Sequence, residues 1–352
     1  MFPLLSTKRL ALAGCALLAL GHVSAQAADV DLRVLGWYGN QPQQQEIETP
    51  FWKGLEERTD GAFSAQFRTI DELGLTGFEA LRTLQSGAFD IVSIQVSHVS
   101  GDDPLFMGAD LPGLSYTFDD LAKLLEAYSP VMDKRLQERY GAKLVATWAY
   151  PPQILYCKGD IKGFADLEGK KVRVSSAFSA KAVEEFGGTS VTLAGPEVYQ
   201  ALQQGVVDCA ATGSVYGNVN GWHEVTDTLF PVPLGGSGVS IHVIRLDTWN
   251  KLTPEQQEML TAELDELGDA LWTMGVEDNQ DGINCNVGAE PCENGQVGNM
   301  SLLEVTPEAR AEMKAALESA ILPMWIAECE RVVDDCRAEW NGSVGKVLDI
   351  EL

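Results

Sequence analysis

Apolar positions along the first part of the chain change period several times. Asp31 to Leu35 alternates with the period of two that marks a half-buried strand, and it runs into Trp37, Tyr38 and Gly39. Phe51 to Arg58 reads as a helix closed by Asp60 and Gly61, and Phe63 to Arg68 as a second strand. Glu79 to Ser86 reads as a short helix, with Phe78, Leu81 and Leu84 one turn apart and Gly87 after it. Asp90 to Gln95 is almost wholly apolar before Gln95, as a strand covered on both faces should be. Strand, helix, strand, helix, strand predicts an α/β lobe with a mainly parallel sheet.

Further on, Asp119 is placed to cap a helix carrying Leu121, Leu124, Leu125 and Tyr128, and Ser129-Pro130 to start another that stops at Gly141. Lys143 to Trp148 is the next strand. Pro151-Pro152 marks a crossing into a second lobe, with strands at Leu155, Val172, Val191 and Val207. Helices there span Ser179 to Phe186 and Pro196 to Gln204. Pro231-Val232-Pro233 and Gly235-Gly236-Ser237-Gly238 read as the return crossing. Thr253-Pro254-Glu255-Gln256 is a capping box opening a long helix, with Met259, Leu260, Leu264, Leu267 and Leu271 on one face. Residues 275–300 are rich in Gly and Asn and read as irregular, and Thr306-Pro307 opens a last long helix. The expected division is 29–150 plus 236–275 for the first lobe, and 151–235 plus 276–352 for the second.

One strand breaks the apolar rule. In Lys171-Val172-Arg173-Val174 the valines share one face and Arg173 takes the other. A charge on a strand this apolar needs an anion, because an unpaired buried charge is costly. A guanidinium pairs with a carboxylate through two parallel hydrogen bonds. Strand physics alone leaves two partners open: a protein Asp or Glu, or the carboxylate of a ligand.

Charge and leader narrow the setting. Lys8 and Arg9 precede an apolar run from Leu10 to Leu20 and then Ala25-Gln26-Ala27, the pattern of a secretory signal over residues 1–28. Leu12-Ala13-Gly14-Cys15 also mimics a lipoprotein cleavage box, though the apolar run continues past Cys15. An exported chain of about 324 residues favours two lobes over one core. The formal net charge of the full chain, −26, argues against nucleic acid and anionic membranes as partners. It also repels an anionic ligand at long range, so that a local cation such as Arg173 would have to hold one.

Without Cys15, six cysteines remain: Cys157, Cys209, Cys285, Cys292, Cys329 and Cys336. An even number in an exported chain suggests three disulfides. Cys157 and Cys209 lie on separate predicted strands and could bridge neighbours. Cys285 and Cys292 flank a Gly/Pro loop and could join locally. Cys329 and Cys336 would be about 10.5 Å apart along an unbroken helix, too far for a disulfide. Either the helix breaks between them or they pair with Cys285 and Cys292. Zinc is a poorer fit, since the spacings match no standard finger and no histidine lies nearby.

Catalytic groups are scarce. Beyond the leader the histidines are His98, His223 and His242, none in a metal-binding spacing, and no nucleophile elbow or P-loop occurs. An exported enzyme acting on a small organic acid would have to build its acid/base pair from these. No cofactor is expected. Binding residues are easier to place, because ligands of open α/β sheets sit beyond the C-terminal strand ends. Trp37, Tyr38, Gln95, Tyr150, Gln153, Arg173, Ser175, Thr212, Tyr216 and Asn218 fall at or near those ends. The aromatics among them could equally be core packing, or could wall an apolar or aromatic ligand body.

Two motifs carry a resemblance. The runs from Asp166 to Val174 (DLEGKKVRV) and from Glu197 to Asp208 (EVYQALQQGVVD) resemble those of the solute-binding proteins of tripartite ATP-independent periplasmic (TRAP) transporters, in order and spacing. The resemblance covers nearly the whole mature chain. It implies a two-lobed periplasmic-binding-protein-like α/β fold, type II-like, with the ligand cleft between the lobes and a long helix spanning them. It further implies a periplasmic transport protein without catalysis that delivers its ligand to a TRAP permease in the membrane. Arg173 would then be the residue that binds the ligand carboxylate. Thr212 stands where the family usually has a carboxylate-binding asparagine, and Gln153 where some relatives carry a second basic residue. Thr212 leaves a hydrogen bond at that position, Gln153 suggests a monocarboxylate with a neutral polar anchor, and the aromatics at the strand ends favour an aromatic or branched organic acid.

Overall fold

The computed structural model describes residues 29–352. The leader expected over residues 1–28 lies outside the described residues. In chain order the strands are β1 (Val30–Gly36), β2 (Phe63–Thr69), β3 (Ile91–Gln95), β4 (Ala142–Ala149), β5 (Ile154–Cys157), β6 (Lys171–Val174), β7 (Thr189–Thr192), β8 (Cys209–Thr212), β9 (Thr228–Phe230), β10 (Val239–Arg245) and β11 (Ser301–Leu302). They form two sheets. The first has the order β2-β1-β3-β10-β4 and the second β11-β9-β5-β8-β6-β7.

Alternation explains β1. Leu32 and Val34 turn into the core and are fully buried, while Arg33 points outward and pairs with Asp90 at 2.8 Å. β1 runs parallel to both β2 and β3. β10 lies antiparallel between β3 and β4, so a late segment closes the first sheet. In the second sheet β6 runs parallel to β7 and β8, whereas β5 is antiparallel to β8.

Two chain segments cross between the sheets, and they bond to each other. Gln153 N donates to Gly236 O at 2.8 Å, Gly235 N to Gln153 O at 3.1 Å, and Tyr150 N to Gly238 O at 3.2 Å. The buried Asp110 carboxylate accepts from Ser237 N at 2.5 Å and Val239 N at 2.9 Å. Burial pushes this carboxyl up to about 7, against the backbone amides of Ser237, Val239 and Gly238 that hold it down.

The largest departure from the sequence reading is the helix Pro254–Val287, 34 residues long. At 1.5 Å per residue it extends about 51 Å, through a stretch expected to be irregular. Its glycines explain both the length and the misreading. Gly268, Gly275 and Gly282 recur every seven residues, and each is a point where another chain segment comes close. Gly268 sits against Ala146 of β4, Gly275 against the carbonyl of Ala149 at the end of β4, and Gly282 against Ser214 and Val215. The helix therefore runs from β4 of the first sheet to the helix Ser214–Val219 that follows β8, with its backbone close to both.

Other boundaries also moved. Thr117, not Asp119, caps the next helix, accepting from Asp120 N at 3.1 Å. That helix runs unbroken over Phe118–Arg135 with Pro130 inside it. The helix expected from Phe51 begins earlier, its first turns covering Gln43–Glu48. The last helix is interrupted after Cys329 and resumes at Cys336, and the break allows the Cys329–Cys336 disulfide. Cys157–Cys209 and Cys285–Cys292 are the other two bridges.

The C-terminal helices, grouped by sequence with the second lobe, bond to chain that leads into the first sheet. Trp325 Nε1 donates to Pro104 O and Trp340 Nε1 to Gly108 O, each at 2.8 Å. Lys134 meets Glu339 at 2.7 Å. Burial of these two indoles favours this packing over a place beside β11, whose Leu302 is exposed. Among the described residues no helix is long and apolar enough to cross a membrane.

Candidate functional site

The C-terminal ends of β1, β3, β6 and β8 and the two crossing segments surround one cavity of about 220 Å³. Nine of the ten candidate residues line it: Trp37, Tyr38, Gln95, Tyr150, Gln153, Arg173, Ser175, Thr212 and Tyr216. Asn218 does not. Its side chain turns away and bonds the backbone of Gln296 in both directions, Nδ2 to Gln296 O at 2.8 Å and Oδ1 from Gln296 N at 2.6 Å. Asn218 sits on the helix Ser214–Val219. On a helix, residues two apart face different sides, so Tyr216 reaches the cavity and Asn218 does not.

Arg173 is 7% exposed. Its Nε and Nη2 both donate to Leu193 O, at 3.0 and 2.8 Å, and its Nη1 donates to Ala211 O at 2.9 Å. Among the described residues no carboxylate pairs with it. A guanidinium has five N–H donors. Three are used on carbonyls, which leaves one on each terminal nitrogen. Burial pulls its pKa down to about 10, with the hydroxyls of Tyr216 and Tyr38 opposing. It therefore keeps its charge at neutral pH. Among the described residues lining the cavity Arg173 is the sole permanent cation and Glu197 the sole carboxylate. Glu197 is occupied by Ala194 N, which it accepts at 3.1 Å.

Neutral donors and rings fill in the walls. Burial pushes the phenols of Tyr38 and Tyr216 up, so both stay protonated and able to donate. Gln153 Nε2 donates to Pro151 O at 3.2 Å. Trp37 meets Tyr38 and His98 edge to face, with ring centroids 5.4 and 4.9 Å apart. Trp148 packs on Tyr150 at 4.5 Å, and it is Tyr150 that lines the cavity.

Sequence reasoning missed Gln43, His98 and Leu193. Leu193 acts through its carbonyl, which no side-chain pattern reports. Gln43 opens the helical segment Gln43–Glu48, a stretch the sequence pattern left unassigned. His98 had a usable signal, since it lies one turn beyond Gln95 at the end of β3. Burial, and then the nearby Arg173 charge, lower its pKa to about 4. His98 is thus a neutral imidazole at physiological pH, next to a cation. No group of acid and histidine side chains among the described residues is arranged to hold a metal ion.

Comparison with known proteins gives the family and the fold. Residues 36–328 match the profile described as bacterial extracellular solute-binding protein, family 7. The uncharacterized protein YiiZ of Salmonella typhimurium is 25% identical over 230 residues, 63% of this chain and 69% of its own length. A solute-binding protein of Chromohalobacter salexigens is 26% identical over 239 residues, covering 63% and 68%. The crystal structure of DctP7, a Bordetella pertussis extracytoplasmic solute receptor binding pyroglutamic acid, superposes with a TM-score of 0.75 at 21% identity, covering 89% of this chain and 98% of that one. A TRAP periplasmic solute binding protein from Desulfovibrio salexigens with bound orotic acid gives 0.76 at 17% identity, covering 90% and 99%. The matched family and the two structural relatives are solute-binding receptors, not enzymes. The chain belongs to the bacterial extracellular solute-binding protein family 7.

Proposed function

We propose that this receptor captures a small organic monoacid between its lobes and delivers it from the periplasm to a TRAP-type permease. One observation carries the reading: a buried, charged Arg173 that has no carboxylate partner among the described residues and faces a cavity. An unpaired buried charge is costly, and a ligand carboxylate would remove that cost. The two remaining N–H groups would grip it. Gln153 and Thr212 would add neutral hydrogen bonds, and Trp37, Tyr38, Tyr150 and Tyr216 would enclose the body. Exclusion of water on closure strengthens such a pair.

Size and charge limit the ligand. At about 220 Å³ the cavity is smaller than the range for drug-sized ligands. With a single permanent cation in the wall, a monoanion is matched and a dianion is not. The pyroglutamic and orotic acids of the structural relatives are of this class. The test is a thermal-shift screen of pyroglutamate, orotate, glucuronate and aromatic monoacids on the mature protein and on Arg173→Ala. A ligand at a hundred times its Kd stabilises by about 2.7 kcal/mol. A shift in the wild type that vanishes in the variant supports the reading. An equal shift in both overturns it.

A further inference from the structure

The disulfide-closed loop beyond the long helix sits behind both walls of the cavity. Cys285, in the last turn of that helix, bridges to Cys292. One turn earlier, Asp281 accepts Glu293 N at 2.7 Å and Asn294 N at 2.9 Å. The chain that follows the bridge is thereby held against the helix, and it reaches in two directions. Asn294 Nδ2 donates to Asp278 Oδ1 at 3.3 Å, and the other oxygen of Asp278 accepts Gln43 Nε2 at 2.7 Å. Gln43 lines the cavity from the first lobe. Two residues on, Gln296 is paired in both directions with Asn218, between the cavity-lining Tyr216 and Asn220 of the second lobe. Gly295 lies between the two arms, where an added Cβ would meet the Asn218 amide and Cys285 Sγ.

These contacts are unlike surface turn bonding. Asp278 is fully buried and Asn218 is fully buried. The carboxylate of Asp278 meets amide donors and no cation, with the acidic Glu46 and Asp281 nearby. Its orientation therefore depends on Gln43 and Asn294, and theirs on it. A residue that only stapled the helix end would have no reason to bond a cavity-lining side chain 235 residues away in sequence, as Asp278 bonds Gln43.

We propose that the Cys285–Cys292 loop is a strut that positions both cavity walls, through Asn294, Asp278 and Gln43 on one side and through Gln296 and Asn218 on the other. Asp278, Asn294 and Asn218 are positioning residues that act without touching the ligand. The consequence for retention of an acid rests on the carboxylate reading above, but the positioning itself does not.

Hydrogen–deuterium exchange of the full mature chain, without added ligand, separates the two. Asn294→Ala should speed exchange about tenfold, the effect of about one lost hydrogen bond, in peptides covering residues 38–48 and leave 212–222 unchanged. Gly295→Ala should do the reverse. The Cys285→Ser/Cys292→Ser pair should loosen both walls while β1 to β3 keep their protection. Where that pair fails to fold, the two single variants decide. Faster exchange confined to residues 286–298 overturns the proposal. So does an equal response of both walls to each single variant, which would mean general destabilisation. Pyroglutamate binding by the same variants then tests retention, so a failure of the ligand reading leaves the exchange result standing.

Discussion

Arg173 holds the Leu193 carbonyl with two of its N–H groups, Nε at 3.0 Å and Nη2 at 2.8 Å. Such a grip fixes the plane of the guanidinium before any ligand arrives, because Leu193 follows β7, the neighbour of β6 in the sheet. The side chain pays little ordering entropy on binding, which is what preorganisation means here. Arg173→Ala should then weaken an acid by about 3 kcal/mol, roughly a hundredfold in Kd. Arg173→Lys should recover part of that, since an ammonium keeps the charge without the fork. Titration calorimetry with pyroglutamate or the best acid of the screen checks both. Equal affinity of the lysine variant and the wild type would show that charge alone suffices.

The pH profile follows from the two basic groups of the site. Arg173, at about 10, and His98, at about 4, bracket the physiological range and neither titrates inside it. Affinity for a monoacid should be flat, within about twofold, between pH 5.5 and 8.5. For stability His98 makes one contribution, opposite in sign to that of the raised Asp110 carboxyl. The native value of His98 lies below the ordinary 6.5, so the unfolded chain binds more protons there between pH 6.5 and 4. This contribution is fully present above 6.5 and is lost as pH falls toward 4. A step in affinity centred between pH 6 and 7 would mean that His98 titrates normally, and would contradict its burial beside Arg173.

How much of this was legible in the chain differs by residue. Arg173 stood out because a charge on an otherwise apolar strand demands a reason. The strand ends located nine cavity residues, since the position of a ligand in an α/β sheet follows from topology. Asn218 was misplaced because its loop became a helix, whose period sends Tyr216 and Asn218 to different sides. Of the stretch 275–300, residues 275–287 were misread for a related reason, while 288–300 is irregular as expected. Glycine is a poor helix former, and only the approach of Ala149 and Val215 shows why Gly275 and Gly282 belong in one. β10 was passed over because the Gly-rich run before it drew the reading of a crossing, although Val239 to Ile244 is rich in the β-branched residues of a strand.

The three disulfides should contribute unequally. In the loop-closure picture the stabilisation grows with the number of residues enclosed. Cys157–Cys209 encloses a separation of 52, the other two a separation of 7 each. That gives about 4 kcal/mol for the first and about 2 kcal/mol for each of the others. Serine pairs replacing each bridge, compared by urea denaturation, check the order. A larger loss from Cys329–Cys336 than from Cys157–Cys209 would show that native packing, not chain entropy, dominates.

The glycine row of the long helix makes a sharper test, because two of its members predict opposite signs. At Gly268 an added Cβ meets the Ala146 methyl at 3.4 Å and the Thr147 carbonyl at 3.8 Å, both ordinary contacts, so Gly268→Ala should gain up to about 1 kcal/mol of helix propensity. At Gly275 it would run into the Ala149 carbonyl, a backbone atom that cannot swing aside. Gly275→Ala should therefore cost about 1–3 kcal/mol, the usual price of overpacking. Since Ala149 precedes Tyr150 at the crossing between the sheets, the displacement would also reach the cavity. Gly275→Ala should weaken acid binding where Gly268→Ala leaves it unchanged. Melting temperature and affinity measured on both variants give the answer. If Gly275→Ala proves as stable as Gly268→Ala, the helix can move away from β4, and its close seating is not what fixes the crossing.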